Sequence, residues 1–202
     1  AVNFMLRFGR GVWCLPMTRR RCEELNLHLQ TPENTTRFGT AFTVTIDAHP
    51  RFGVTTGVSS TDRAKTIEIA AAPDSKPSDV TRPGHINPLM AMDGGVLVRS
   101  GQTEGSVDLC RLAGLRSVAV LIEIMNDDGT MSRVPELTKF AQQHGIRMYT
   151  VADIIEHRMQ RESFVTRGVS TRLPTPFGEF NLIEYRSPID PEPHLALCCG
   201  GV

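Results

Sequence analysis

The sequence predicts an α/β fold in which a three-layer mixed sheet carries helices on both faces, followed by a short β-hairpin segment of a truncated second domain. Apolar strand-like runs alternate with helical patterns over residues 1–160, whereas residues 161–202 lack a helical period. Hydrophobic residues make up 40 % of the 202 residues and charged residues 22 %, which is typical of a globular domain and excludes a disordered chain.

The first elements are a helix end, a strand and a capped helix. Residues 1–6 are typical of the last turns of a helix that ends near Gly9, so we expect the chain to be cut at its N-terminus. Residues 11–17 form a short apolar run that predicts a buried strand. Thr18 then provides an N-cap for a helix over residues 19–27.

Alternation of apolar and polar residues predicts a half-buried strand over residues 41–48. The hydroxyl residues that follow it are typical of an N-cap, and the helix they begin continues to Ala72. Residues 73–88 contain four prolines and one glycine in 16 residues, which predicts a constrained loop rather than a helix or a central strand.

Two strands flank the next helix. The apolar run 94–98 predicts a strand, and a helical pattern over residues 107–113 ends at Gly114, which provides a left-handed C-cap. The fully apolar run 117–124 predicts a second strand, with Glu123 near its end.

The remaining elements of the first domain are two helices and one strand. Pro135 begins a helix that Gly145 ends, and residues 146–150 predict a strand. Thr150 caps a final helix over residues 151–160. Three short strands then follow at residues 170–173, 179–185 and 194–199.

Charge, hydropathy and cysteine usage exclude several classes of function. The 22 basic and 22 acidic residues cancel, which argues against nucleic acid as a partner. No run approaches the roughly 18 apolar residues of a membrane span, so we expect no membrane partner. Five cysteines without a C-x-x-C pair indicate reduced thiols and a cytoplasmic location.

A polar segment between a predicted strand and helix indicates an anion-binding site. Arg99 offers a planar fork of donors, Ser100 and Thr103 offer hydroxyls, and Gly101 allows the backbone to approach a ligand. The following helix N-terminus adds unpaired N–H groups. An ordinary turn with a threonine cap is the alternative interpretation.

Two further residues have side chains suited to acid–base chemistry. His85 follows Pro83-Gly84 in a proline-rich segment, which would hold an imidazole in a fixed orientation. Glu123 would be partly desolvated at the end of an apolar strand and could act as a base near neutral pH. The alternatives are a surface histidine and a strand-end glutamate paired with an arginine.

Several motifs together resemble 3,4-dihydroxy-2-butanone 4-phosphate synthase of riboflavin biosynthesis. They are HPRFGVTTGVSSTDRAKTI, SKPSDVTRPGHINPLMAMDGGVLVRSGQTEGSVDLCRLAGL and VLIEIMNDDGTMSR, in the family's order and spacing. The likeness extends over residues 1–160, which we interpret as a synthase domain. Residues 161–202 include RLPTPFGEFNLIEYRSPIDPEPHLAL, which resembles the first strands of GTP cyclohydrolase II. The two families are often fused in that order, so we expect a piece of a bifunctional protein.

The resemblance implies a lyase that converts D-ribulose 5-phosphate into L-3,4-dihydroxy-2-butanone 4-phosphate and formate, with Mg (or Mn) as cofactor. It also implies a homodimer with sites near the subunit interface. His85 matches the family's essential histidine and Glu123 its essential glutamate. Cys14 matches a cysteine near the substrate. The segment that holds the sugar phosphate matches Arg99, Ser100, Gly101, Gln102 and Thr103.

The chain departs from the family pattern in two places. The family's acidic loop, E-x-R-E-x-E-G-D, should precede Ala1 and is absent from the 202 residues. Gln102 stands where the family has a magnesium-ligating histidine, so no residue is assigned as a metal ligand, although its carbonyl could coordinate. We therefore expect weakened metal binding, and weak or no activity from this piece. The alternative is a degenerate synthase domain that acts as a dimerising scaffold for a cyclohydrolase.

Overall fold

A mixed three-stranded sheet lies at the centre of the first part of the chain. In this computed structural model, which describes residues 1–200, the strands are β1 (Cys14–Thr18), β2 (Ile46–Ala48) and β3 (Val80–Ala91). Their order is β1-β3-β2, with β1 parallel and β2 antiparallel to the central β3. This arrangement confirms the predicted mixed α/β class.

The largest error of the sequence prediction concerns residues 73–88, which were expected to be a loop. Residues 80–88 instead belong to the central strand β3. Pro83 and Pro88 both lie within β3. The ladder with β2 shifts register, so that Ile46 faces Ile86 while the next residue, Asp47, faces Thr81. Residues 82–85 therefore bulge out of the ladder, and a proline there removes no ladder hydrogen bond.

Four predicted strands are absent or reduced within residues 1–200. Residues 94–98, predicted as a strand, instead contain a 3₁₀ helix (Gly95–Leu97), since Gly94 and Gly95 have φ of 89° and 65°, which an extended strand cannot contain. Residues 117–124 lie beside β1 through isolated antiparallel bridges rather than a continuous ladder. Residues 146–150 form no strand, and the predicted strand 41–48 narrows to β2.

The predicted helices are confirmed, with shifted ends. Thr18 accepts the Arg21 N–H at 3.1 Å and Thr150 accepts the Asp153 N–H at 3.1 Å, as predicted for N-caps. Gly145 ends its helix with φ of 63°. The helix expected from residue 107 begins five residues earlier, at Gln102. The helices are α1 (Val2–Phe8), α2 (Arg19–Glu24), α3 (Ser60–Ala71), α4 (Gln102–Leu112), α5 (Val134–His144) and α6 (Val151–Arg161).

The core is built on the sheet and the helices beside it. Leu15, Met17, Ile46 and Ile86 are fully buried strand side chains, and Leu25 packs with them. Burial of such side chains contributes about 1.5–3 kcal/mol each. The sheet is thus a rigid support for the polar residues at its edges.

The chain divides into two compact units, Ala1–Ile154 and a second that begins at Ile155. The second unit contains an antiparallel sheet in the order β4-β5-β6, with strands β4 (Thr166–Thr175), β5 (Gly178–Ser187) and β6 (Asp190–Cys199). The predicted hairpins are therefore confirmed. Among residues 1–200, no helix combines the length and the apolar character that crossing a bilayer demands.

Candidate functional site

A cavity of about 550 Å³ lies at the start of α4. Apolar walls come from Leu89 of β3 and from Leu121, beside β1. The loop over residues 38–42 forms a further wall. The sequence-predicted residues that line it are Cys14, Arg99, Ser100, Gly101, Gln102, Thr103 and Glu123. Seven of the eight predicted site residues therefore share one cavity.

Arg99 is held by two separate elements. Its Nη1 lies 2.5 Å from Oε2 of Glu104, a side chain that is only 1 % exposed. Its Nη2 donates to the Phe38 carbonyl at 3.0 Å and to the Thr40 hydroxyl at 3.3 Å. Glu104 also accepts the backbone N–H of Met92 at 3.0 Å. The guanidinium therefore connects α4 to the loop that closes the cavity.

Gly101 is required by the close packing around that ion pair. It is the N-cap of α4, with φ of −103°, a value open to other residues. A Cβ at Gly101, however, would lie 2.8 Å from Oε2 of Glu104 and 3.0 Å from Cζ of Arg99. Steric space, rather than backbone conformation, explains the glycine. Its absent side chain also leaves the N-terminus of α4 open to the cavity, where N–H groups favour an anion.

Glu123 and Cys14 lie on adjoining segments. One Glu123 oxygen, Oε2, accepts the Val12 backbone N–H at 2.8 Å, and Gly11 leaves room for that side chain. Cys14 N–H donates to the Leu121 carbonyl at 3.0 Å, which aligns the two segments. Burial and the negative charge of Glu123 raise the pKa of the Cys14 thiol to about 11. The thiol is therefore neutral at physiological pH and is not a nucleophile there.

His85 lies outside the lining of this cavity, on β3. Leu89, which lines the cavity, is four residues further along, or about 13 Å at the rise of an extended strand. The His85 imidazole is half-exposed, and its Nδ1 lies 2.7 Å from Oδ2 of Asp47. Its backbone N–H donates to the other Asp47 oxygen at 3.0 Å. Within one chain, His85 and Glu123 are therefore not brought together in one cavity.

Sequence reasoning missed two carboxylates that position predicted residues. Asp47 lies on the polar side of the alternating strand 41–48, and Glu104 lies in the first turn of α4, where an acidic residue is usually explained by the helix dipole. Asp47 does not signal its partner, because His85 is 38 residues away. Glu104 is only five residues from Arg99, but the helix dipole already offers an explanation for its position. The alternation could have indicated that Asp47 faces a polar neighbour.

Comparison with known proteins decides the family. The family model of 3,4-dihydroxy-2-butanone 4-phosphate synthase matches residues 1–157. The chain belongs to this family. The riboflavin biosynthesis protein RibBA of Aquifex aeolicus (strain VF5) is 54 % identical over 200 residues, which cover 99 % of this chain and 49 % of that protein. The synthase of Pseudomonas aeruginosa PAO1 is 49 % identical over 201 residues, which cover the whole chain and 54 % of that protein.

Solved structures of the synthase family share the fold. The two-domain synthase RibBX of A. baumannii superposes with a TM-score of 0.87 at 44 % identity, over 98 % of this chain and 58 % of that one. A synthase in complex with two magnesium ions superposes with a TM-score of 0.75 at 42 % identity, over 79 % of each chain. The chain spans about half the length of the curated relatives that it matches.

Proposed function

We propose that the chain carries the activity of its family, the conversion of D-ribulose 5-phosphate into L-3,4-dihydroxy-2-butanone 4-phosphate and formate. The proposal rests on one observation: Glu123 and the Arg99–Thr103 segment line the same cavity. A base and an anion-binding segment in one cavity suit a phosphorylated sugar that must lose a proton. Residues 1–160 would form the synthase domain, and residues 161–202 would begin a second domain.

The Arg99–Thr103 segment would hold the phosphate group. The N-terminus of α4 attracts an anion, and the Thr103 and Ser100 hydroxyls lie in the same lining. Arg99 already contacts Glu104 and the Phe38 carbonyl, so a phosphate would compete with that carbonyl for Nη2. Phosphate binding and the position of the loop over residues 38–42 would then be coupled.

Glu123 and His85 would move the protons of the reaction. Glu123 lies in the cavity, where it would accept a proton from the carbon beside the ketone. His85 lies elsewhere on the same chain, so we propose a homodimer in which His85 of the partner subunit completes the cavity. The half-exposed imidazole is compatible with this role, because it is free to meet a second copy.

A divalent metal fits the donors of this cavity. Gln102 and Glu123 both line the main cavity and an adjoining one of about 220 Å³, and both offer oxygen ligands. Mg²⁺ prefers oxygen and is often held by one or two protein ligands plus substrate and water. No group of three His, Cys, Asp or Glu residues lies close enough to form a metal site within residues 1–200. When bound, Mg²⁺ would polarise the substrate's carbonyl and hydroxyl oxygens. The neutral amide of Gln102 is flexible and lacks the fixed geometry of an imidazole, so we expect it to hold the ion more weakly.

The test is formate release from ribulose 5-phosphate by the full-length protein. We expect formate that depends on Mg²⁺ and stops with a chelator. His85→Gln and Glu123→Gln should each lower the rate by about 100-fold or more, the usual contribution of a positioned acid or base. His28→Gln is a matched control, since His28 lies in a loop outside the cavity. Formate release that is absent from the unmodified protein, or unaffected by both substitutions, would contradict the proposal and favour the dimerising scaffold.

A further inference from the structure

The carboxylate of Asp47 makes two contacts with a single residue. Oδ2 lies 2.7 Å from Nδ1 of His85, and Oδ1 accepts the His85 backbone N–H at 3.0 Å. Both oxygens of the carboxylate are thus used by the same histidine. The Asp47 side chain is 13 % exposed, while the imidazole is 47 % exposed. One side of the ring is therefore fixed by a buried anion, and the other remains accessible.

The backbone on either side of this pair is held in place. Gly84 N–H donates to the Thr45 hydroxyl at 3.0 Å, and a Cβ at Gly84 would collide with the backbone at Ile46. Thr81 Oγ1 lies 3.3 Å from the Asp47 carbonyl. The segment that carries His85 is therefore packed directly against the strand that carries Asp47.

A second loop confines the Asp47 carboxylate from behind. Gly57 has φ of 83°, and a Cβ there would lie 2.6 Å from Cγ of Asp47. Asp62 holds this loop, because it accepts the Thr55 hydroxyl at 2.8 Å and the Gly57 N–H at 3.1 Å. The Gly57 backbone thus packs closely against the Asp47 carboxylate, on which the contacts with His85 are made.

A carboxylate accepts hydrogen bonds and cannot donate them, so the ring nitrogen that faces it must carry the proton. We propose that Asp47 is a positioning residue that keeps the proton of neutral His85 on Nδ1 and leaves Nε2 as the working nitrogen. Asp47 does not touch the substrate in this scheme. It sets the tautomer and the direction of the imidazole. This inference rests on the proposed role of His85 in proton transfer.

Asp47→Asn tests the inference with little change of shape. The asparagine has one acceptor oxygen for two donors, the His85 backbone N–H and the ring Nδ1–H. If the oxygen keeps the backbone N–H, the amide NH₂ faces Nδ1 and must donate to it. The ring proton is then forced onto Nε2. A merely structural role of Asp47 would not reverse the tautomer.

The measurement is the ¹⁵N spectrum of the histidine rings in the full-length protein, with the His85 signals assigned by their loss in His85→Gln. We expect the unmodified protein to carry the neutral-ring proton on Nδ1, and Asp47→Asn to carry it on Nε2. The same substitution should lower kcat for formate release by about 100-fold while KM changes little, because the acid–base group and not the binding contacts is affected. Asp47→Glu should restore the Nδ1 proton and part of kcat.

Asp79→Asn is the matched control, since Asp79 is as buried as Asp47 but pairs with Arg51. It should change neither the ring signals nor kcat beyond about threefold. A proton on Nε2 in the unmodified protein, or an unchanged tautomer in Asp47→Asn, would overturn the inference without any need for activity. An unmodified protein that shows the Nδ1 proton but makes no formate would instead overturn the proposed function and leave the role of Asp47 in place.

Discussion

Two buried carboxylates in the first unit each hold a nitrogen-bearing side chain, Arg99 in one pair and His85 in the other. In the pair at the cavity, Glu104 is 1 % exposed and the Arg99 guanidinium beside it is a quarter exposed. In the pair between β2 and β3, the Asp47 side chain is 13 % exposed and the His85 ring is about half-exposed. In both pairs a carboxylate thus fixes the position of its partner side chain. The pairs differ in how much of that partner remains available to another molecule.

The difference shows how a buried carboxylate can support two different functions. Arg99 donates hydrogen bonds to Glu104, Phe38 and Thr40. It therefore organises the cavity wall and also offers a positive charge. The Asp47 carboxylate occupies only Nδ1 of the His85 ring, which leaves Nε2 for chemistry. The first pair therefore should govern stability and anion binding, and the second should govern proton transfer.

The largest expected effect on stability comes from Glu104→Gln. This change removes the charge that offsets Arg99, and it leaves one acceptor for two donors, Arg99 and the Met92 N–H. Loss of one partner of a buried pair costs about 3 kcal/mol of unfolding free energy. Urea unfolding measures this loss of unfolding free energy. Glu68→Gln is the control, because the exposed Lys65–Glu68 pair should contribute less than about 1 kcal/mol. Equal losses in the two variants would erase the contrast between buried and exposed pairs.

Gly101→Ala should have a smaller effect, confined to the cavity. The added methyl group would press on Glu104 and Arg99, and we expect phosphate or ribulose 5-phosphate to bind about tenfold more weakly, or about 1.4 kcal/mol. Calorimetry measures this affinity. Gly105→Ala on the same helix is the control, since its Cβ would have ordinary contacts at 3.6 Å and a helical alanine is favoured by up to about 1 kcal/mol. Similar affinities for both variants would show that space at Gly101 is not what the site requires.

The smallest expected effect is a pH-dependent change in stability caused by Asp62 of α3. The Thr55 hydroxyl, with the backbone N–H groups of Thr55 and Gly57, holds the pKa of Asp62 below its usual range. A carboxyl with a lowered folded pKa stabilises the fold above its unfolded pKa, about 3.9, and loses that contribution as pH falls further. Asp62→Asn should therefore lower the urea midpoint at pH 7 and differ little from the unmodified protein near pH 3.

Thr55→Val provides the matching comparison, because it deletes the hydroxyl that contributes most to this shift. It should reproduce part of the decrease in urea midpoint that we expect for Asp62→Asn at pH 7. If Asp62→Asn lowers the urea midpoint equally at pH 7 and pH 3, the charge of Asp62 is not what holds the loop against Asp47.

The sequence was sufficient where a local signal decides the structure. Thr18, Thr150 and Gly145 have the caps predicted for them, because a cap depends on one residue and its own helix. The segment Arg99–Thr103 and Glu123 could be placed at one cavity because both follow motifs that the family resemblance supplies.

The prediction was wrong where pairing at a distance decides the structure. Proline count predicted a loop over residues 73–88, yet β3 tolerates Pro83 in a bulge whose partner lies on a strand more than 30 residues earlier. The Asp47–His85 contact has the same origin, since it depends on that register. The relation of His85 to Glu123 also required three-dimensional information that no pattern along the chain contains.

In the proposed dimer, His85 of the partner subunit completes each cavity, and dimers formed from two different variants provide the test. His85→Gln and Glu123→Gln are each expected to be nearly inactive. When the two variants are co-expressed, half of the dimers are mixed, and each mixed dimer contains one site with both an intact histidine and an intact glutamate. Because one site in four is then intact, we expect formate release to recover to about a quarter of the unmodified rate. Mixed dimers that remain as inactive as either variant alone would contradict it.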